Sequence, residues 1–296
     1  MEFKSGFVSI VGKPNAGKST LLNRLTGEKI AIISNKPQTT RNTIRTILTD
    51  KESQIIFVDT PGIHKPRTKL GEFMMGEIND SLGNVDVIIY LVDVTKPNIG
   101  EEERAIIDKL KQSLKPVILG LNKIDAIEKQ KILPIIDKYK DEMEFCGIYP
   151  ISAKEGYGDD ELLKKVKELL PKGPLYYPED TLTDQPERLI VAEIIREKML
   201  QLLEDEVPHG IGVEIIKFKD RQDKELLDID ATIYCEKSSH KGIIIGKKGA
   251  MLKKIGMLSR ADIERMLGIK VNLQLWVKIK DDWRNNNSML KTLGYN

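Results

Sequence analysis

The chain has 296 residues, of which 40% are hydrophobic and 31% are charged, and its formal net charge is +2 at pH 7. The length fits two ordinary domains and the hydrophobic content is ample for their cores, which excludes a disordered protein. No apolar stretch approaches the roughly 18 residues of a membrane span, and no signal peptide precedes the first predicted strand. We therefore expect a cytoplasmic protein without a transmembrane segment. Cys146 and Cys235 lack the spacing of a zinc site or a disulfide framework.

The first motif follows a predicted strand over residues 7–11 and opens a predicted helix. Residues 12–19 read Gly-Lys-Pro-Asn-Ala-Gly-Lys-Ser, the pattern of a phosphate-binding loop. Its backbone N–H groups and the positive end of the helix would surround the β- and γ-phosphates of a nucleotide, with Lys18 adding a point charge and Ser19 a ligand for Mg²⁺. The predicted nucleotide contacts here are Gly12, Pro14, Asn15, Ala16, Gly17, Lys18, Ser19 and Thr20.

A second motif selects guanine over adenine. Residues 122–125 read Asn-Lys-Ile-Asp and follow an apolar run over residues 116–121, so they lie at the end of a predicted strand. The Asp125 carboxylate can accept hydrogen bonds from N1–H and the 2-amino group of guanine, and adenine offers neither donor. We expect Asp125 to be buried, and a buried carboxylate left unpaired costs enough for roughly 10⁴-fold discrimination. The Lys123 stem would lie along the base, and Asn122 would connect this loop to the phosphate loop.

Two shorter pieces complete the predicted site. Asp59 and Gly62 belong to an Asp-Thr-Pro-Gly sequence after a predicted strand over residues 55–58. We expect the Asp59 carboxylate in the water shell of Mg²⁺ and the Gly62 N–H at the γ-phosphate. A Ser-Ala-Lys sequence at residues 152–154 would pack on the base and offer a backbone N–H to its carbonyl oxygen. The predicted contacts in it are Ser152, Ala153 and Lys154.

Residues 35–41 are polar and turn-rich, which predicts a mobile segment. One of its two threonines would bind Mg²⁺ only when the γ-phosphate is present, and we favour Thr40 over Thr39. A segment that GTP orders and GDP loosens is a switch. The alternative is a solvated loop that carries two threonines by chance.

Strand and helix signals alternate through the first half, which predicts a mostly parallel sheet with helices on both faces. Residues 43–48 and 54–58 read as a hairpin, so one edge strand should be antiparallel. A proline-punctuated linker follows, in which Tyr176 and Tyr177 would attach to a domain surface. From residue 187 the order is helix (189–203), strand (212–218), strand (226–234), Gly-rich turn, helix (252–267) and strand (270–279). This order predicts an α+β domain with a three-stranded sheet.

The Gly-rich turn over residues 242–252 contains a Gly-x-x-Gly sequence. Gly246 and Gly249 would let it lie flat against a sugar-phosphate backbone, and Lys247 and Lys248 would contact phosphates. The three preceding isoleucines and Leu252 would line a groove for unstacked bases. Residues 237–291 carry a net charge of +9 and residues 184–236 carry −7, so the basic charge is local. The predicted RNA contacts are Lys241, Gly242, Ile243, Ile244, Ile245, Gly246, Lys247, Lys248, Gly249 and Lys253.

Together these motifs resemble the Era family of bacterial GTPases over nearly the whole chain. The resemblance implies an α/β, Ras-like P-loop G domain with a mostly parallel six-stranded sheet (residues 1–173), a linker (174–186), an α+β type II KH domain (187–281) and a C-terminal tail (282–296). It implies GTP and GDP as substrate and product, with Mg²⁺. Its implied RNA ligand is the single-stranded 3′ end of 16S rRNA, and its implied role is maturation of the 30S ribosomal subunit.

Hydrolysis should be slow, because Ile63 stands where Ras-type GTPases place a glutamine that orients water. Lys18, Thr40, Gly62 and Asn15 are the predicted catalytic residues. The resemblance suggests that Asn15 helps to bind a K⁺ ion in place of an arginine finger; the alternative is a turn residue beside a proline.

The sequence therefore predicts a monomeric, GTP-hydrolysing, RNA-binding switch. Two alternatives from other classes stay open. One is a constitutive RNA-binding protein whose nucleotide site is only structural. The other is a membrane-associated regulatory GTPase. The C-terminal tail is too short and too polar to anchor the protein in a membrane alone, so such association would be peripheral.

Overall fold

The computed structural model describes residues 2–34, 36, 39–62, 66–221 and 225–295. Two compact units divide the chain. The first comprises Met1–Ile33, Thr40–Lys65 and Met74–Asp184, and the second comprises Ser34–Thr39, Pro66–Phe73 and Gln185–Asn296. The described part of the chain contains no helix that is both long and apolar enough to cross a bilayer.

The first unit is built on a six-stranded sheet in the order β2-β3-β1-β4-β5-β6. Only the β2–β3 pair is antiparallel, so the predicted sheet and its antiparallel edge are confirmed. The strands are β1 (Lys4–Val11), β2 (Ile44–Thr49), β3 (Ser53–Asp59), β4 (Val87–Asp93), β5 (Val117–Asn122) and β6 (Gly147–Ile151). The helices are α1 (Lys18–Thr26), α2 (Lys69–Gly83, which begins in the second unit), α3 (Glu101–Ser113), α4 (Ile132–Lys140) and α5 (Asp159–Leu169).

Strand β4 is apolar from Val87 to Val92 because both faces of the sheet are covered there. In β4, Ile88 and Tyr90 point into one core cluster, whereas Ile89 and Leu91 point into the other, and all four are fully buried. Continuous apolar runs of this kind are typical of parallel sheets between two helix layers. Polar residues therefore collect where these strands end, which is where a doubly wound sheet binds its ligands.

The predicted linker is attached to the first unit up to Asp184, later than the predicted boundary at residue 173. The buried amide side chain of Gln54 accepts from the backbone N–H groups of Tyr176 and Tyr177 at 2.8 and 3.0 Å, and it donates to the Tyr177 carbonyl at 2.9 Å. The ring of Tyr176 also packs on Phe7, with centroids 5.5 Å apart. Both tyrosines thus attach to a domain surface, as the sequence predicted.

The second unit contains a three-stranded sheet in the order β7-β8-β9, with β7–β8 antiparallel and β8–β9 parallel. One face packs on helices in a core that includes Val191, Ile229, Ile255 and Ile263. This arrangement agrees with the predicted α+β domain. Its elements are α6 (Glu187–Leu202), β7 (Gly212–Asp220), β8 (Leu226–Cys235), α7 (Ser238–Ile245), α8 (Ala250–Leu267), β9 (Lys270–Ile279) and α9 (Asn287–Thr292).

Two parts of the second unit differ from the prediction. The isoleucines before Gly246 lie in a helix, α7, and not in a Gly-rich turn. The predicted tail, 282–296, is folded into the unit over its described residues, 282–295. Trp283 is fully buried and its indole N–H donates to the Gly210 carbonyl at 2.9 Å. Leu290 and Leu293, three residues apart, are buried as well. The polar composition of this stretch gave no indication that its few apolar residues pack into the domain.

Candidate nucleotide and RNA sites

The phosphate loop between β1 and α1 needs its glycines for steric reasons. Gly17 has a φ of 97°, and a Cβ atom there would lie 2.2 Å from the Asn122 side chain. A Cβ atom on Gly12 would lie 2.3 Å from the Leu91 carbonyl oxygen. Asn15, at the tip of the loop, is exposed with a φ of 65°. The loop can therefore bring its backbone close to a ligand, as an anion site at a helix N-terminus requires.

Lys18 is buried and aimed into this loop. Its ammonium donates to the carbonyl oxygens of Gly12 and Lys13 at 3.2 and 3.1 Å. Burial lowers the pKa of Lys18 to about 8, while the negative charge of Asp59 acts in the opposite direction. The ammonium is thus held by neutral carbonyl groups in a buried place that disfavours its charge, and a phosphate ligand would favour that charge.

We expect nucleotide affinity to fall as the pH rises above about 8. Phosphate favours the charged form of Lys18, so binding takes up a proton at any pH above the pKa of the free protein. The Kd for GDP should be flat below that pH and then rise by up to tenfold per pH unit. Titration with a fluorescent GDP analogue checks this. Lys18→Met, which lacks the group, should bind weakly without this rise, and an identical rise in both proteins would contradict the assignment.

Three oxygen-bearing side chains meet beside the loop, as the sequence predicted for a metal. The Ser19 hydroxyl lies 2.8 Å from Oδ2 of Asp59 and 3.1 Å from the Thr40 hydroxyl, which is itself 3.4 Å from the same Oδ2. The other carboxylate oxygen, Oδ1, is buried and has no hydrogen-bond partner among the residues that the structure describes. Burial raises the pKa of Asp59 above its usual value. The charge of Lys18 and hydrogen bonds from Ser19 and Thr40 act in the opposite direction but do not outweigh burial. A buried carboxylate with a spare oxygen beside two hydroxyls fits Mg²⁺.

Thr39 lies elsewhere: its hydroxyl donates to the Lys36 carbonyl at 2.6 Å within the same segment. Thr20 is in the first turn of α1, next to Ser19. A Cβ atom on Gly62 would come within 2.8 Å of the Pro14 nitrogen, so the loop after β3 requires a glycine where it approaches the phosphate loop. Ile63 and His64 lie outside the described residues, as do Asn35, Pro37 and Gln38 of the predicted mobile segment.

The predicted guanine loops are tied together by Asn122. Its side-chain amide donates to the Ala16 carbonyl at 2.8 Å and accepts from the Ala153 N–H at 3.0 Å, so it connects the phosphate loop to the Ser-Ala-Lys loop. Asp125 is exposed in the protein alone, so the burial that the sequence argument assumed is wrong; its Oδ1 accepts from the Ser152 hydroxyl at 2.6 Å. Ser152 therefore orients the carboxylate that was predicted to recognise guanine.

Sequence reasoning missed the partner of Lys123. The Lys123 ammonium lies 2.6 Å from Oδ2 of Asp93, the last residue of β4. Burial opposes ionisation of Asp93, but hydrogen bonds from Lys123 and Thr95 outweigh it and lower the pKa of this carboxyl. A carboxylate at the end of a central strand was the available signal, the same one that identified Asp59. Lys154 is exposed and pairs with Glu155 at 2.8 Å, which raises the pKa of Lys154.

In the second unit, the Gly-x-x-Gly turn joins α7 to α8. Gly246 has a φ of 71°, and a Cβ atom there would lie 2.7 Å from Cβ of Met251. Gly249 has a φ of 80° and open space around it. The exposed side chains of Lys247 and Lys248 occupy the tip. This geometry offers two cations and an unobstructed backbone to a polyanion.

A groove of about 410 Å³ starts at this turn and runs between α8 and β9. The sequence predicted Gly249 and Lys253 here, and Leu252 as an apolar lining residue. It missed the far wall, because only the folded chain places β9 opposite α8. The groove is lined by Gly249, Leu252, Lys253, Gly256, Met257, Arg260, Leu273 and Leu275.

The three isoleucines of α7 differ in how far they are buried. Ile243 is 49% exposed and Ile245 is half-buried, whereas Ile244 is fully buried in the domain core. The prediction of Ile244 as an RNA contact is wrong, because helical geometry turns consecutive residues to different sides. Gly242 is exposed on α7, and Lys241 is half-buried there.

The fold and these sites define a phosphate-loop nucleotide-binding domain followed by a KH-type domain. Residues 7–123 match the family described as 50S ribosome-binding GTPase, and residues 206–284 match the KH domain family. The chain belongs to the Era family of GTPases. It is 59% identical to GTPase Era of Ruminiclostridium cellulolyticum, covering 100% of this chain and 98% of the relative, and 55% identical to that of Clostridioides difficile, covering 99% of each.

Two solved structures resemble the whole chain. One is a single-residue variant of Aquifex aeolicus Era bound to GDP·AlF4⁻, with a TM-score of 0.95 and 42% identity. The other is Era in complex with MgGDPNP and nucleotides 1506–1542 of 16S ribosomal RNA, with a TM-score of 0.96 and 43% identity. Each comparison covers 99% of both chains.

Proposed function

We propose that this GTPase is a nucleotide-controlled switch that binds the single-stranded 3′ end of 16S rRNA during maturation of the 30S subunit. The observation that carries the proposal is the likeness to Era in complex with MgGDPNP and nucleotides 1506–1542 of 16S rRNA, which extends over 99% of both chains. The groove between α8 and β9 is the proposed place for the RNA.

In the proposed nucleotide complex, Ser19, Thr40 and Asp59 hold Mg²⁺ and Lys18 contacts the phosphates. Mg²⁺ supplies positive charge that offsets the charge developing on the phosphate oxygens. The chain contributes a buried ammonium, a row of backbone N–H groups and a carboxylate that burial keeps away from water. Gly62 is proposed to donate its N–H to the γ-phosphate, and Asp125 to accept from guanine.

Hydrolysis is proposed to depend on positioning and on charge, because isoleucine at position 63 cannot orient the attacking water. Asn15, exposed at the tip of the phosphate loop, is the proposed contact for a K⁺ ion. Turnover measured in K⁺ and in Na⁺ tests this part. We expect faster hydrolysis in K⁺ for the natural protein and no difference for Asn15→Ala; equal rates in both salts for the natural protein would contradict it.

Coupling is proposed to run through the peptide bond between Thr39 and Thr40. Residues Ser34–Thr39 group with the second unit, where the buried Arg196 of α6 donates to the Thr39 carbonyl. The hydroxyl of the next residue, Thr40, lies among the proposed metal ligands of the first unit. A change at Thr40 on loss of the γ-phosphate would therefore pull on the backbone that Arg196 holds.

RNA recognition is proposed to combine charge with shape. Lys247 and Lys248 at the turn, with Lys253 and Arg260 at the groove, would contact phosphates, while Leu252, Leu273 and Leu275 would face unstacked bases. We further propose a monomer in the cytoplasm that engages the 30S subunit, because the proposed ligand is part of its RNA. Co-sedimentation with purified 30S subunits through a sucrose gradient tests that partner. If the protein stays at the top of the gradient, the 30S subunit is excluded as a partner.

The experiment that tests the switch compares RNA affinity in two nucleotide states. An RNA with the sequence of nucleotides 1506–1542 is titrated with protein saturated with GDP and with a non-hydrolysable GTP analogue. A difference of about tenfold or more, equivalent to about 1.4 kcal/mol, is expected. Equal affinities would exclude gating and favour a constitutive RNA-binding protein. Failure to bind RNA in either state would exclude the RNA ligand itself.

A further inference from the structure

Glu103, in the first turn of α3, is a buried carboxylate that the nucleotide chemistry above does not use. Only 4% of the residue is exposed. Its Oε1 accepts from the hydroxyl groups of Tyr90 and Tyr139 at 3.0 and 3.3 Å, and its other oxygen forms an ion pair with the ammonium of Lys13. All four residues belong to the first unit.

The surroundings of Glu103 are fixed. Tyr90 on β4 and Tyr139 on α4 are fully buried, and their rings meet edge to face with centroids 6.3 Å apart. Burial raises the pKa of both tyrosines, and the charge of Glu103 raises it further, so both hydroxyls remain donors. A buried charge persists only when hydrogen bonds and an opposite charge compensate its lost hydration. Glu103 has both.

Lys13 is the second residue of the phosphate loop, and its two ends contact different groups. Its side chain reaches Glu103. Its backbone carbonyl accepts from the Lys18 ammonium at 3.1 Å and from the Ala16 N–H at 3.3 Å. The position of this carbonyl therefore depends on where the Lys13 side chain is held.

We propose that Glu103 is a positioning residue for nucleotide binding. It holds Lys13 by its side chain and thereby fixes the carbonyl that seats the Lys18 ammonium, so the phosphate loop is ordered before GTP arrives. Glu103 acts through Lys13 and does not touch the nucleotide. The inference rests on the nucleotide site alone, so its failure would leave the RNA proposal unaffected.

Glu103→Gln tests the inference because it keeps the side-chain shape and an acceptor for the tyrosines but removes the charge that holds Lys13. We expect the Kd for GDP and for a GTP analogue to rise about tenfold, a change worth about 1.4 kcal/mol. In turnover, KM should rise more than kcat falls, because loop order is needed already for binding. The measurements are calorimetric titration and steady-state hydrolysis.

Tyr90→Phe is the matched control. It removes a hydrogen bond from the same carboxylate and leaves the contact with Lys13 in place. It should therefore lower the melting temperature and leave the Kd for GDP within about twofold of the natural value, a difference well under 1 kcal/mol. Equal losses of affinity in Tyr90→Phe and Glu103→Gln would mean that the carboxylate only supports the core, and would overturn the proposal.

Lys13→Met tests the same contact from the other side. The double variant Lys13→Met and Glu103→Gln should bind GDP no more weakly than the single variant with the lower affinity, because both substitutions remove the same interaction. Additive losses would show that Lys13 acts on the nucleotide by itself and would overturn the proposal, as would natural affinity in Glu103→Gln. If Glu103→Gln does not fold, the Lys13 variants test the proposal. A loss of GDP affinity in Lys13→Met that is absent in Lys13→Arg would support the proposal, whereas natural affinity in Lys13→Met would overturn it.

Discussion

Replacing Asp125 by asparagine is expected to weaken GTP and GDP binding by about 10³-fold or more. In the proposed complex the carboxylate accepts from two donors on guanine, whereas an asparagine side chain would turn an N–H group toward one of them. Asp125 is exposed and its partner is the Ser152 hydroxyl, so the fold should be unaffected. Xanthine carries an acceptor where guanine carries its 2-amino group, so the variant should prefer XTP.

Competition of GTP, XTP and ATP against a fluorescent nucleotide measures this change. Ser152→Ala serves as the matched control, because it leaves the carboxylate but removes the hydroxyl that orients it. We expect that variant to lose about tenfold in affinity, or about 1.4 kcal/mol, with guanine still preferred. If Asp125→Asn binds GTP as the natural protein does, Asp125 is not the guanine-recognising residue.

The second large effect is expected from the double variant Lys247→Glu and Lys248→Glu. Both side chains are exposed at the tip of the Gly-x-x-Gly turn, so reversing their charge should leave stability unchanged. RNA affinity should fall by about 100-fold, and the slope of log K against log salt should shrink by about two, because two phosphate contacts are lost. Nucleotide affinity should not change.

A charge control separates this local effect from the field of the whole protein. Lys129→Glu and Lys131→Glu make the same change in net charge on an exposed segment of the first unit. RNA binding by this control should stay within about threefold of the natural protein in a salt series, a difference under 1 kcal/mol. Equal losses in both double variants would mean that the turn is not the contact and that only net charge attracts the RNA.

Most of the nucleotide site could be predicted from sequence because its phosphate loop, Asp59 and Asn122 each stand at the end of a strand. Asp59 ends β3 and Asn122 ends β5, and a parallel sheet brings such ends together whatever lies between them. The meeting of Ser19, Thr40 and Asp59 within 3.4 Å follows from that topology and from the short loop after β1. The structure places the hydroxyl of Thr40 beside Asp59 and that of Thr39 at the Lys36 carbonyl, and Thr40 stays the predicted metal ligand.

The remaining features depend on distant contacts that no local pattern carries. The pairing of Glu103 with Lys13 joins α3 to a loop far away in sequence, and Glu103 lies in an acidic helix start that reads as solvated. The far wall of the groove between α8 and β9 comes from β9, whose leucines at this groove look like ordinary core residues in the sequence. The burial of Ile244 depends on the helical state of a segment whose glycines indicated a turn.

The stretch that attaches to Gln54 also protects the sheet. β2 is the outermost strand on its side, and such a strand exposes unpaired N–H and C=O groups that can recruit a strand from another molecule. Here the Ile47 N–H donates to the Leu182 carbonyl at 2.8 Å, and Thr46 bridges to Thr183. Residues 182–183 of the first unit therefore cover part of this exposed strand edge, which leaves fewer backbone groups free for edge-to-edge pairing with another molecule.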